Sequence, residues 1–266
     1  MIPKKVTVSK WRKVVNYVTQ GSITQGSIDK RIAIRTANSK RKYENSVSRF
    51  GEESAERRKK ISKILVENRL RDAGRHVFLW WNVSFNSSLR QTNLALGVDL
   101  TKLVREYAPN GRVLEIGCGD GTTITQLQKA IPTTKFSALG LTIPKEWMKH
   151  ENYKEIDWHV AHAGKLSSIK RTLPPGSVNL AFSTLGLTHA PEFEKSLQEA
   201  HTLLKPGGHL LFNLEKQTQL TPIEFKKMGF ELIWKKPTEV EANSQSPFGT
   251  TQQKPQSLTA YFLKKI

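Results

Sequence analysis

Val113-Leu114-Glu115-Ile116-Gly117-Cys118-Gly119-Asp120-Gly121-Thr122 decides the fold. A short apolar run carrying one acid breaks into three alternate glycines, and the polar and apolar residues after Thr122 then recur at helical spacing. Glycine lets the backbone take positive φ and admits a ligand where a Cβ would collide. The helix that follows offers unpaired N–H groups to an anion. A strand, a glycine turn and a helix in this order therefore point to a nucleotide-like cofactor. A dinucleotide fingerprint, G-x-G-x-x-G/A, would need a small residue at Thr122 and an acid about 20 residues further on. Neither is present.

On both sides of this segment the chain alternates strand and helix. The pattern predicts a helix over 99–107, strands at 112–116, 135–139, 158–161, 178–183 and 209–213, and helices over 122–130 and 193–204. This rhythm predicts a doubly wound, mostly parallel α/β sheet with its chemistry at the carboxyl ends of the strands. The rhythm then changes. A short helix over 222–228 is followed by strands at 230–234 and 258–263 with no helix between them, which predicts a terminal antiparallel hairpin. A polar stretch over 238–256 forms its loop.

Three further features accompany the glycine turn: Asn179-Leu180-Ala181-Phe182-Ser183 followed by Leu187-Thr188-His189, the run Leu203-Leu204-Lys205-Pro206-Gly207-Gly208, and the closing strand pair. With Glu115, Gly117, Gly119 and Gly121 in an E/D-x-G-x-G-x-G pattern, residues 95–266 resemble the class I S-adenosylmethionine-dependent methyltransferases. The resemblance implies a seven-stranded Rossmann-like methyltransferase fold with S-adenosyl-L-methionine as cofactor. It places the methionine part of the cofactor on Gly117, Cys118, Gly119 and Gly121, with Glu115 near its amino group. Cys118 reads as a small packing residue, since its acidic neighbours disfavour a reactive thiolate.

The chain departs from the family pattern at two places. The acid that grips the ribose hydroxyls is missing from Ala138-Leu139-Gly140-Leu141-Thr142-Ile143-Pro144-Lys145-Glu146. Alignment without a gap puts Gly140 there, a two-residue shift puts Thr142 there, and Glu146 is the nearest carboxylate. The acid beside the adenine amino group is replaced in Val160-Ala161-His162-Ala163, where a neutral His162 remains able to accept a hydrogen bond or is simply exposed. Ser183 closes the cofactor set at the end of the fourth strand. No N/D-P-P-Y/F signature for amino methylation follows, because the strand runs into Phe182-Ser183-Thr184-Leu185-Gly186. His189 is the candidate base, against an ordinary packing role.

Composition bears on partners. The 266 residues hold 42 Lys+Arg and 23 Asp+Glu, for a net charge of +19. Residues 1–90 hold 21 basic and 7 acidic side chains, net +14, which leaves +5 for residues 91–266. Two units follow: a basic extension over 1–90, irregular and then helical over 52–72, and a methyltransferase core over 91–266. Basic residues interleaved with Trp11, Tyr17, Tyr43, Trp80 and Trp81 suit phosphate contacts and base stacking, so RNA or a ribonucleoprotein is the favoured substrate. A solvated helix face over Arg57–Lys63 is the plain alternative for part of this charge. A metabolite substrate, or a non-catalytic nucleic-acid-binding protein on the same fold, stays open.

The single Cys118 excludes an intramolecular disulfide and a CxxC metal or redox pair, and suits a reducing compartment. No apolar run reaches the length of a membrane span, and no metal cluster is expected. A cytoplasmic location follows. Residues 1–43, with eleven basic side chains and the one acid Asp29, keep an organelle address as the alternative.

Overall fold

A computed structural model describes residues 88–119, 121–140, 154–188, 190, 192–215, 220–240 and 256–266. The extension before residue 88, Trp80, Trp81, Thr142, Glu146, His189 and most of the stretch over 238–256 lie outside the described residues.

Helix α1 (Leu89–Leu96) opens the described chain. Ser88 caps it, and Gln91 reaches back to the cap backbone to complete a capping box. Gly97 then stops the helix in the left-handed conformation, φ 64°. Helix α2 (Leu100–Tyr107) follows at once, capped by Asp99, whose carboxylate accepts from the N–H groups of Thr101 and Lys102. The chain alternates from there: β1 (Arg112–Ile116), α3 (Thr122–Ala130), β2 (Lys135–Gly140), β3 (Ile156–Val160), a 3-10 helix (Ala163–Ile169), β4 (Val178–Ser183), α4 (Phe193–Leu203) and β5 (Leu204–Glu215). It ends with α5 (Pro222–Lys227), β6 (Phe230–Val240) and β7 (Gln256–Lys265).

The seven strands form one sheet in the order β3-β2-β1-β4-β5-β7-β6. Strands β1 to β5 are parallel, and β7 inserts antiparallel between β5 and β6. The doubly wound sheet with a terminal antiparallel pair is thus the observed fold. Side chains alternate across the pleat, so each strand feeds two cores. Leu114, Ile116, Leu139 and Ala181 pack with Leu166, Leu197, Leu203 and Phe225 of the 3-10 helix, α4 and α5 on one face. Val113, Phe136, Ala138, Leu180 and Phe182 pack with Leu96, Leu100, Val104, Ile124 and Leu127 of α1, α2 and α3 on the other.

Several boundaries differ from expectation, each for a physical reason. Helix α1 was not anticipated, because its polar Arg90, Gln91 and Asn93 mask an apolar stripe, and it straddles the expected boundary at residue 90. Strand β5 starts at Leu204 instead of His209, since Leu204 pairs with Val178 before the register shifts between Val178 and Leu180. Strand β6 runs past Lys235-Lys236-Pro237 to Val240. Proline interrupts a central strand but is tolerated at an edge, and β6 is the edge strand.

Candidate functional site

The order of strands reverses between β1 and β4, whose crossovers leave to opposite faces, and this is the point at which doubly wound sheets take ligands in a crevice beyond the carboxyl ends. The glycine loop enters this crevice from β1. Gly117, Gly119 and Gly121 all have positive φ, at 81°, 53° and 76°. The last residues of β2 hold the loop in place, because the N–H groups of Gly117 and Cys118 both donate to the Leu139 carbonyl at 2.8 and 2.9 Å. Gly121 N–H donates back to Cys118 O at 2.7 Å, closing the turn that starts α3.

The three glycines serve different ends. A Cβ on Gly117 would sit 2.7 Å from the Gly186 Cα, and one on Gly121 would sit 2.4 Å from the Trp158 ring. These two glycines let the loop pack against the turn after β4 and against β3. Gly117 and Gly119 are exposed while Ile116 and Cys118 on either side are buried, so the loop presents backbone to the crevice. Cys118, 1% exposed, packs among the residues of the α1–α3 face, as its packing reading requires.

These residues fit the methionine part of the cofactor. Side chains cap α1, α2 and α5, whereas α3 and α4 have no side-chain cap, and the N-cap of α3 is the left-handed Gly121 of the loop itself. That N-terminus suits a carboxylate. Glu115, 4% exposed near the end of β1, supplies a carboxyl group as an acceptor for an ammonium group.

The turn after β4 is braced by a buried network that sequence reasoning did not find. The Ser183 hydroxyl donates to Ile116 O at 2.7 Å and accepts from Leu187 N–H at 2.9 Å. Ser183 thereby ties β4 to β1. Leu185 has φ 62°, an unfavourable region for a leucine, and its N–H donates to Asn213 Oδ1 at 2.8 Å. Asn213 donates in turn to Ala95 O at 3.1 Å, and Thr188 donates to the Asn213 carbonyl. Thr238 joins the same Ala95 carbonyl at 2.8 Å. A lone Asn in the apolar run of β5 was the available signal.

The β2–β3 side is different. Gly140 is the buried last residue of β2, and its carbonyl accepts from Ala161 N–H at 3.0 Å. It places no carboxylate at that strand end. His162 caps the 3-10 helix, with Nδ1 accepting from Gly164 N–H at 3.1 Å. Burial, countered by Glu192 and reinforced by Lys165 and Lys195, pushes its pKa down to about 4. The ring is therefore neutral at pH 7 with its proton on Nε2, a buried nitrogen without a hydrogen-bond partner among the described residues. The expectation that His162 accepts from the adenine amino group, or lies exposed, is corrected on both points: the acceptor nitrogen is occupied, and the free nitrogen donates. Ala163, 8% exposed, starts the 3-10 helix beside it.

Residues 114–212 match the family described as a methyltransferase domain. Over these residues the chain is a class I S-adenosylmethionine-dependent methyltransferase core. S-adenosyl-L-methionine is the cofactor of this family. The chain is 28% identical over 144 residues to 6-hydroxymellein synthase cdmE of Talaromyces verruculosus, covering 48% of this chain and 5% of that protein. It is 27% identical over 138 residues to tRNA N(3)-methylcytidine methyltransferase trm140 of Schizosaccharomyces pombe, covering 48% of this chain and 44% of that protein. The chain thus spans less than half the length of these curated relatives. A solved SAM-dependent methyltransferase from Aquifex aeolicus superposes with a TM-score of 0.46 at 16% identity, over 66% of this chain and 93% of that one. Among the described residues, no group of three or more His, Cys, Asp or Glu side chains is placed to hold a metal, and no helix is long and apolar enough to cross a membrane.

Proposed function

We propose that the chain transfers a methyl group from S-adenosyl-L-methionine to RNA or to a ribonucleoprotein. The glycine loop carries the first half of this reading, since it presents exposed backbone and an uncapped α3 beside a buried acid. The cofactor supplies an activated methyl group together with its own leaving group. The protein's part is then chiefly geometric: to hold the donor, align the acceptor in line and exclude water. Glu115 and the α3 N-terminus orient the methionine end. Gly140, His162 and Ala163 border the nucleoside end, where His162 Nε2–H suits a ring nitrogen of adenine, and Thr142 is the alternative to Gly140 as the ribose position. His189, five residues beyond Thr184, is the proposed base for a hydroxyl acceptor.

Two observations support the RNA half. The net charge of +19 favours a polyanionic partner, and one relative of similar identity is a tRNA methyltransferase. A metabolite acceptor is the second reading, favoured by the Leu187-Thr188-His189 and Leu203–Gly208 segments and by the synthase among the relatives.

Calorimetric titration with S-adenosylhomocysteine tests the first half. Gly119→Val puts a branched side chain on exposed loop backbone and should weaken binding at least about 100-fold, more than 2.7 kcal/mol, with the fold intact by circular dichroism. Equal affinity in the variant refutes the assignment.

A further inference from the structure

Asn213 stands in the apolar run Leu210-Leu211-Phe212-Asn213-Leu214 of β5 and is 0% exposed. Burying a carboxamide costs free energy unless its polar atoms are paired. Both are. Oδ1 accepts from Leu185 N–H at 2.8 Å, and Nδ2 donates to Ala95 O at 3.1 Å. Aspartate would keep the acceptor and lose the donor, and leucine would lose both, so the position asks for a short side chain that carries one of each. The two partners belong to different parts of the molecule: Leu185 to the turn after β4, and Ala95 to the last turn of α1.

Followed outward, the two bonds lead back to one place. Leu185 precedes Gly186, and Gly186 lies so close to Gly117 of the glycine loop that a Cβ on either glycine would stand 2.7 or 2.8 Å from the other's Cα. The loop then leads through Gly121 into α3. On the other side, α1 is fastened to the first two turns of α3 by the hydroxyls of Thr92 and Thr123, 2.8 Å apart, and by Leu89 N–H, which donates to Gln126 Oε1 at 2.7 Å. The circuit therefore runs from the loop to the β4 turn, through Asn213 to α1, and through α3 to the loop again. Asn213 joins its two arms. The far end of α1 is held as well, because Ala95 O also accepts from Thr238 at 2.8 Å, and a Cβ on Gly97 would meet Lys236 Cε and Thr238 Cγ2 at 2.7 Å.

This frame surrounds the groups that suit the methionine end of the cofactor. Glu115 lies two residues beyond Val113, and alternate residues of a strand share a face, so it points to the side that α1 and α3 cover. The uncapped start of α3 and the exposed backbone of Gly119 complete the set. Leu185 is the strained member of the circuit, at φ 62°. Glycine would take that conformation freely, but the leucine side chain, 1% exposed, packs with Ala95 and Leu258. Such strain persists only where the surroundings over-determine it, and it gathers at ligand sites.

We propose that Asn213 is a positioning residue for the methyl donor: by tying the β4 turn to α1 it closes the frame and fixes the methionine end of S-adenosyl-L-methionine, acting through Leu185 and α1. This rests on the cofactor reading of the glycine loop. Its consequence is selective. A loosened frame misdirects the hydrogen bonds to the amino and carboxylate groups and leaves the nucleoside end, over β2 and β3, as it was.

Calorimetry of the full chain with two ligands tests this: S-adenosylhomocysteine, and 5′-methylthioadenosine, which has the same nucleoside and sulfur and lacks the amino-acid end. Asn213→Ala cuts both arms. Gln126→Ala, at an exposed position, frees the start of α1 at little cost in stability. Leu173→Ala hollows the core on the other face of the sheet and serves as the control. Each variant is titrated at a temperature where circular dichroism shows it folded. The ratio of the two affinities should fall at least about tenfold in Asn213→Ala, the worth of one misdirected hydrogen bond to a charged group. It should fall less in Gln126→Ala and keep its wild-type value in Leu173→Ala. A merely structural Asn213 would weaken both ligands together, so an unchanged ratio in Asn213→Ala, or an equal fall in Leu173→Ala, overturns the proposal. Should Asn213→Ala fail to fold, Gln126→Ala decides, and an unchanged ratio there overturns it. Absence of S-adenosylhomocysteine binding by the unmodified chain overturns the cofactor reading and the proposal with it.

Discussion

The carboxyl ends of β1 and β4 and those of β2 and β3 form two halves of one crevice, and they are built differently. On the β1–β4 side the parts are locked: Gly117 lies against Gly186, Ser183 joins Ile116 to Leu187, and Asn213 holds the strained Leu185 while reaching to α1. On the β2–β3 side fewer polar groups stand at the strand ends among the described residues. Gly140 offers only backbone, and His162 turns its acceptor nitrogen inward onto Gly164. The contrast teaches that one half owes its shape to backbone packing, so its residues are fixed by sterics. The other half depends on which side chains face the ligand, and there this chain departs from its family.

The largest effect is expected where backbone meets backbone. A Cβ on Gly186 would stand 2.5 Å from Ile116 O and 2.8 Å from Gly117 Cα, and one on Gly117 meets Gly186 Cα at 2.7 Å in a positive-φ conformation. No flexible side chain is there to yield. Gly117→Ala and Gly186→Ala should each destabilise the core by roughly 2 to 4 kcal/mol, from overpacking with left-handed strain added for Gly117. Urea unfolding measures it. Full stability in either variant would mean that the loop and the β4 turn move apart freely, and the contrast between the halves would fail.

On the β2–β3 side the corresponding test is pH. The pKa of His162 is lowered from 6.5 to about 4 in the folded chain, so between those values the unfolded state binds a proton that the native state does not. The stability this contributes is present above pH 6.5 and is lost as pH falls through 4, by roughly 3 kcal/mol in all. Burial also lowers the pKa of His159, His201 and His209, which gives slopes of the same sign. The readout is therefore the difference between the wild-type chain and His162→Gln, whose unfolding free energy should fall less steeply over this interval. Parallel curves would show that His162 is solvated and titrates normally.

How far the sequence anticipated this molecule follows the same division. Strands β1 and β4 and helix α3 were expected at their observed limits, because glycine punctuation and apolar periodicity act locally. The glycine loop was foreseen for the same reason. Gly186, Asn213 and Leu185 were not, since their roles depend on contacts between strands far apart in sequence: Asn213 and Ala95 are 118 positions apart. His162 was identified as a site residue with the wrong polarity. Which ring nitrogen is free depends on Gly164 two residues on, and the capping turn that sets it has no periodic signature.

The smallest effect concerns the ribose acid, and it separates two alignments that residue types alone leave open. Gly140 is buried at the end of β2, so a carboxylate there is desolvated unless a ligand group meets it. Gly140→Asp should accordingly lower the stability of the ligand-free chain, and bound S-adenosylhomocysteine should restore part of that loss. If ribose hydroxyls lie within reach, charge-assisted hydrogen bonds should tighten binding by about 1 to 2 kcal/mol, roughly five- to thirty-fold. Thr142→Asp, in the connection after β2, should give a similar gain if the two-residue shift is the correct alignment. Only one of the two substitutions should tighten binding, because the ribose has one position. Weaker binding in both would mean that another group already holds the hydroxyls, and Glu146→Gln would then be expected to lose affinity where the two aspartates failed to add it.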